Sequence, residues 1–84
     1  AILRILESEG LVVPVEPGRY YAAEAVDGLV TKLRDRMTGG GEFTPADLRE
    51  VLGLSRKYLI PFLEFCDRRR ITERRTTGRL FLDL

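Results

Sequence analysis

Gly53-Leu54-Ser55 stands between two segments that both read as helices, and no other feature limits the fold so tightly. Upstream, Thr44 has the side chain of an N-cap, Pro45 falls at the first helical position, and Asp47 is placed to bond back to the cap. Phe43 before the cap faces Leu48 after it as a hydrophobic staple, and Leu48, Val51 and Leu52 supply a buried side. Gly53 then ends the helix. Downstream, Ser55 is a second N-cap, its hydroxyl suited to an orphan N–H of the first turn. Leu59, Phe62, Leu63 and Cys66 follow at the i, i+3, i+4 and i+7 spacing of one apolar stripe. Two helices joined this closely, through a turn containing glycine, make a helix-turn-helix.

The start of the second helix is electrically unusual. Arg56 and Lys57 occupy its first turn, where the backbone already carries about half a positive charge. Two cations there cost stability that a bound anion restores, and helix N-termini are natural phosphate sites. From the residues alone, this helix is expected to face a nucleic-acid backbone. Pro61 lies past the first turn, deletes the bond to the Lys57 carbonyl and is expected to kink the helix. The bend is either a tolerated irregularity or a device that aims Arg56, Lys57 and Tyr58.

The charge of the whole chain, +1, conceals an asymmetry. Arg56 to Arg79 holds eight cations against three anions, a net +5, while the remaining residues hold six against ten, a net −4. A basic end on an acidic remainder points to a polyanionic partner rather than to evenly solvated charge. Most of the surplus lies beyond the second helix. There, Ile71 to Arg75 and Arg79 to Leu82 read as strands around a Thr76-Thr77-Gly78 turn. With a short strand at Phe43, the order becomes helix, strand, helix, turn, helix, hairpin. That is a winged helix, with the arginine-rich hairpin as its wing.

Upstream, Glu24 to Met37 reads as a helix with Val26, Leu29, Val30, Leu33 and Met37 on one stripe, and Gly39 to Gly41 forms a loose connection. Ile2, Leu3, Ile5 and Leu6 suggest a short helix stopped at Gly10. Leu11 to Val15 and Arg19 to Ala22 read as a hairpin about a Pro17-Gly18 type II turn. The expected fold class is therefore mainly α with small β-hairpins. A complete winged helix covers 23–84, and the C-terminal remnant of a preceding one covers 1–22. Ile2, Leu6, Val13 and Tyr20 of that remnant need cover. It comes either from the helix of Val26 and Leu29 or from a second copy of the chain, a homodimer through residues 1–22, which the unpaired strand edges favour. The chain begins at Ala1 without an initiator Met and is expected to be a piece of a longer one.

Several function classes are disfavoured. Histidine is absent, which removes the usual general base and the usual metal ligand together. No phosphate loop or nucleophile elbow occurs, so neither catalysis nor a bound cofactor or metal is expected. The single cysteine, Cys66, sits on the apolar stripe and reads as a small buried hydrophobe. Without a membrane-length apolar run or a signal peptide, a cytoplasmic location is expected.

The string LGLSRKYLIPFLEFCDRRRITER, from Leu52 to Arg74, with Gly78-Arg79 following in the wing, is more discriminating. It resembles the last winged-helix domain of the bacterial selenocysteine-specific translation elongation factors of the SelB type, over about Phe43 to Leu82. The resemblance implies recognition of an RNA hairpin in a selenoprotein message, with GTP-binding and aminoacyl-tRNA-binding parts lying upstream. It places RNA contacts at Ser55, Arg56, Lys57 and Tyr58 and along the wing at Arg74, Arg75 and Arg79. Arg56 and Lys57 would bind phosphates, Arg56 also reaching a guanine, and Tyr58 either stacks on a base or packs. Arg70 departs from the family pattern, which has a small residue at the helix end. A DNA-binding winged helix of a transcriptional regulator, its helix laid in a major groove, is the alternative partner reading.

Overall fold

Thr44 closes the start of its helix as the sequence predicts. In the computed structural model, which describes residues 2–82 and side chains from Ile5 onward, the Asp47 N–H donates to Thr44 Oγ1 at 3.2 Å and the Thr44 N–H to Asp47 Oδ2 at 3.0 Å. These bonds to its charged form hold the Asp47 carboxyl below the ordinary carboxylate range. The helix they start, α3 (Pro45–Leu52), ends at Gly53 in the left-handed conformation. Around it the chain orders as α1 (Ile2–Ser8), β1 (Val12–Glu16), β2 (Arg19–Ala22), α2 (Ala23–Met37), α4 (Arg56–Arg68), β3 (Thr72–Arg74) and β4 (Arg79–Phe81). Asp83 and Leu84, the end of the expected 23–84 span, lie outside the described residues.

α4 is the element the others pack on. Leu59, Phe62, Leu63 and Cys66 are buried as their spacing predicts, and Phe65 joins them. The buried face is wider than the predicted stripe because α4 is covered twice. Leu33, Met37, Leu48 and Leu52 belong to the same core cluster from α2 and α3, and Val15 joins it from the first hairpin. Tyr21 stacks on Phe62 with ring centroids 6.2 Å apart, and Phe65 follows at 5.9 Å from Phe62. Arg68 Nη2 donates to the Val15 carbonyl at 2.7 Å and closes the seam. Of the two covers expected for this hairpin, docking within the chain is the one adopted, and nothing supports exchange with a second copy: Val15 is buried and Val13 and Tyr21 are partly buried against the core of their own chain. The side chain of Ile2 lies outside those described. Ile5 and Leu11, 57% and 54% exposed, remain uncovered.

Two helix–hairpin units repeat one construction sixty residues apart. α1 ends in a Schellman motif, with Leu11 N–H on the Leu6 carbonyl at 2.8 Å and Gly10 N–H on the Glu7 carbonyl at 3.0 Å. α4 ends identically, with Ile71 N–H on Cys66 at 2.9 Å and Arg70 N–H on Asp67 at 3.2 Å. The motif requires a left-handed residue. Gly10 supplies it at φ 76°, but Arg70 adopts φ 60° with a full side chain, which costs about 1–2 kcal/mol. Gly18, at φ 77°, satisfies the type II turn predicted for the first hairpin.

β3 and β4 pair antiparallel, and Phe43 adds a single rung on the far side of β4, its N–H and carbonyl bonded to Arg79 at 2.8 and 2.9 Å. This rung ties the wing to the residue just before α3. Gly78 makes it possible: a Cβ there would stand 2.5 Å from the Phe43 carbonyl oxygen. Gly78→Ala is accordingly expected to lower stability by about 1–3 kcal/mol, the usual cost of overpacking. Urea unfolding monitored by circular dichroism measures it, and an unchanged midpoint would disprove the tight rung.

Cys66 is fully buried, and desolvation first, then neighbouring Asp67, pushes its thiol up to about 12. A raised pKa means that ionisation favours the unfolded chain. Stability should be indifferent to this group below pH 9 and fall as pH climbs from 9 toward 12. Iodoacetamide at pH 8 should leave the folded thiol unmodified and label it in denaturant. Rapid native labelling would contradict the burial.

Candidate nucleic-acid interface

The two helix starts are built differently. At α3 the cap side chain takes the N–H of the third helical residue. At α4 the corresponding N–H, that of Tyr58, goes instead to the Ser55 carbonyl at 3.0 Å, which also accepts from Leu59 at 2.9 Å. Ser55 keeps the extended cap backbone, but its hydroxyl makes no bond to the first turn. The side-chain cap expected of Ser55 is thus absent, because its target is already bonded. Arg56 and Lys57 are exposed on this turn, with no acidic residue in it to offset them. α4 runs on through Pro61 to Arg68 as one continuous helix.

Tyr58 is 38% exposed and stands on the surface, so packing in the core is ruled out for it. Its ring is flanked by cations: the Arg19 guanidinium carbon lies 4.7 Å from the centroid and Lys57 Nζ lies 5.7 Å away. Arg19 comes from the first hairpin, thirty-nine residues away in sequence. Beside this turn an open groove of about 930 Å³ runs between α3 and α4, with Leu54, Leu59 and Ile60 inside and Arg49 and Arg56 along it. Neither Arg19 nor Arg49 was marked by the sequence reading. One signal for Arg19 was available, the recurrence of Gly18-Arg19 as Gly78-Arg79.

The wing arginines separate into two kinds. Arg74 and Arg75 are exposed, Arg75 pairing with Glu73 at 3.0 Å between half-exposed side chains. Such a pair contributes little to stability and yields readily to a stronger anion. Arg79 is different. It is 5% exposed, and its Nε reaches both Asp67 oxygens, at 3.1 and 3.0 Å, while Nη2 meets Oδ2 at 3.0 Å. Thr72 Oγ1 donates to Asp67 Oδ1 at 2.6 Å in the same cluster. The expectation that Arg79 follows a backbone from the wing is corrected: its guanidinium faces inward and locks the hairpin to the last turn of α4. Ser55 to Tyr58 lie together with Arg19, whereas Arg74 and Arg75 sit on the wing beyond the other end of α4. Between Arg56 and Asp67 the helix rises about 16 Å.

Helix, single rung, helix-turn-helix and wing, in this order, define a winged-helix domain, and its exposed cations give it the charge of one that meets a polyanion. Residues 34–81 match the family model described as elongation factor SelB, winged helix, and the chain belongs to that family. It is similar to the selenocysteine-specific elongation factor of Desulfomicrobium baculatum, 36% identical over 73 residues, which is 87% of this chain and 12% of that protein. It is similar also to that of Escherichia coli strain K12, 32% identical over 81 residues, 96% of this chain and 13% of that protein. The chain thus spans about an eighth of the length of these relatives. Among solved structures it overlays on the mRNA-binding domain of E. coli SelB in complex with SECIS RNA, with a TM-score of 0.84 and 32% identity over 96% of this chain and 67% of that one. A bacterial selenocysteine-specific elongation factor EF-Sec also matches at 0.84, with 26% identity over 96% of this chain and 13% of its own. Among the described residues no helix is long and apolar enough to cross a membrane.

Arg79 and Arg56 should behave as opposites on substitution. Arg79→Ala leaves the Asp67 carboxylate mostly buried without its partner and is expected to cost about 3 kcal/mol. Arg56→Ala removes a cation from the positive end of a dipole, so stability should hold or rise slightly. Thermal unfolding of both variants decides it. Equal melting temperatures would mean that the inward ion pair does not hold the wing.

Proposed function

We propose that this chain is the messenger-binding part of a selenocysteine-specific elongation factor, seizing the selenocysteine-insertion hairpin through the start of α4 and the tip of the wing. The observation that carries this reading is the overlay of nearly the whole chain on a SelB mRNA-binding domain bound to SECIS RNA. The physical layout supports it. Arg56 and Lys57 present charge at a turn whose own N–H groups favour an anion. Arg74 and Arg75 offer a second group of phosphate contacts on the wing. The deep major groove of A-form RNA is too narrow for a helix, so the target is a hairpin loop with its flanking phosphates. Ser55 is free to bond a phosphate or a base edge, since its hydroxyl does not cap the helix.

In this reading residues 1–22 close a preceding winged helix and 23–84 form the complete one, in the cytoplasm, with no cofactor of their own. The GTP-binding and aminoacyl-tRNA-binding parts of the whole protein lie upstream, and the GTPase activity belongs to them.

Competition binding tests the partner directly. A fluorescein-labelled selenocysteine-insertion RNA hairpin is displaced by unlabelled RNA hairpin, by its DNA counterpart and by a random duplex. RNA should compete best. With about four phosphate contacts, log K should fall against log salt with a slope of about −3. Arg56→Ala and Lys57→Ala should each weaken binding while folding is retained. Equal displacement by the DNA hairpin, or a flat salt response, would overturn the reading.

A further inference from the structure

Resting on that reading, we infer that Arg19 of the first hairpin is an RNA-contacting residue, carried to the recognition surface on the ring of Tyr58. The repeated construction shows why this arginine is free when its counterpart is not. Arg79, sixty residues on, is held by Asp67 at the end of α4 and by the cluster that Thr72 completes. The positions that correspond to Asp67 and Thr72 in the first unit are Glu7 and Val12. Val12 has no hydroxyl to bond a carboxylate, and Glu7 is exposed. The inward acceptor is missing, so Arg19 turns outward.

It turns to a definite place. The guanidinium lies 4.7 Å from the Tyr58 centroid, at the third residue of α4 and next to Arg56 and Lys57. Stacking holds the plane of the group and leaves its edge donors open, which is the arrangement in which arginine grips a phosphate or a guanine edge. Glu16 Oε2 approaches Nη1 at 3.3 Å, but without hydrogen-bond geometry, and that oxygen has no other partner. Both side chains of the pair are about a third exposed. That carboxylate oxygen is itself buried and faces Nη1 alone, and no hydrogen bond from the Arg19 guanidinium is present among the described residues, so its other donors are open to a phosphate. The ring contact restrains the long arginine side chain before RNA arrives, which favours affinity by reducing a cost of binding. The recognition surface is thus composite: the first hairpin adds a cation to a turn that belongs to α4.

Titration of the 84-residue chain with the labelled RNA hairpin tests this, with Arg19→Ala, Arg19→Lys, Tyr58→Ala, the Arg19→Ala/Tyr58→Ala double variant and Arg56→Ala as reference. Arg19→Ala should weaken binding about ten-fold and reduce the salt slope by just under one. Arg19→Lys should restore the slope and only part of the affinity, because an ammonium does not stack as a plane. Tyr58→Ala should lose as much as Arg19→Ala, and the double variant no more than either, since the two side chains act as a unit. If Arg19→Ala binds like the unaltered chain while Arg56→Ala is impaired, Arg19 merely clips the hairpin to α4 and the inference fails. A loss of affinity with an unchanged slope and a lowered melting temperature overturns it in the same way, as does complete rescue by Arg19→Lys. If Arg56→Ala is unimpaired too, the RNA reading of α4 fails with it.

Discussion

The wing has its position because a buried Arg79 meets a largely buried Asp67 at the end of α4. β3 and β4 are three residues each and cannot hold a hairpin by backbone bonds alone. A charged pair in such a place contributes only when its geometry is full, and here one guanidinium meets both carboxylate oxygens while Thr72 takes a further lone pair. The pair joins β4 to the last turn of α4. Through the Phe43 rung it also fixes where α3 begins, and hence the helix-turn-helix angle at Gly53. Orientation of the exposed cations on α4 and on the wing is in this sense set by one ion pair between them.

A second dependence runs the other way along the chain. α4 is the common wall of two apolar assemblies, the three-helix core and the seam with the first hairpin. Phe62 takes part in both, as a member of the core cluster and as the ring on which Tyr21 stacks. α4 is therefore packed on by the first hairpin as well as by α2, α3 and the wing. Arg68 reinforces the seam by donating to the Val15 carbonyl, so one of the surplus cations in the basic third is structural.

Much of this was legible in the sequence. Capping box, the apolar stripe of α4 and turn residues are local signals, and they reappear at the residues that carry them, from Thr44 and Asp47 to Pro17 and Gly18. What was not legible depended on partners distant in sequence. The charge of Arg79 marks it as a surface residue, and nothing in the neighbouring residues says that Asp67 will stand opposite. Phe65 lies off the predicted stripe and is buried because elements distant in sequence, α2 and the first hairpin, widen the covered face. The cap of Ser55 failed for a subtler reason: the serine is in the right place, but its own carbonyl had already bonded the N–H its hydroxyl should reach. The site followed the same division. The exposure of Arg56 and Lys57 at the helix start could be read from position alone, whereas Arg19 required the fold to bring it to Tyr58.

The sixty-residue repeat carries a consequence for how such chains acquire ligand contacts. Two copies of one hairpin hold an arginine at the same position, and its direction depends on whether the helix beside it ends in a short acid backed by a hydroxyl. Exchanging Asp and Thr for Glu and Val releases the arginine without touching it. One construction can in this way keep its arginine as a fastener in one copy and present it outward in the other without a change of shape. Direction of the side chain, and with it the choice between holding the fold and facing solvent, is thus set by the neighbours of the arginine and not by the arginine itself.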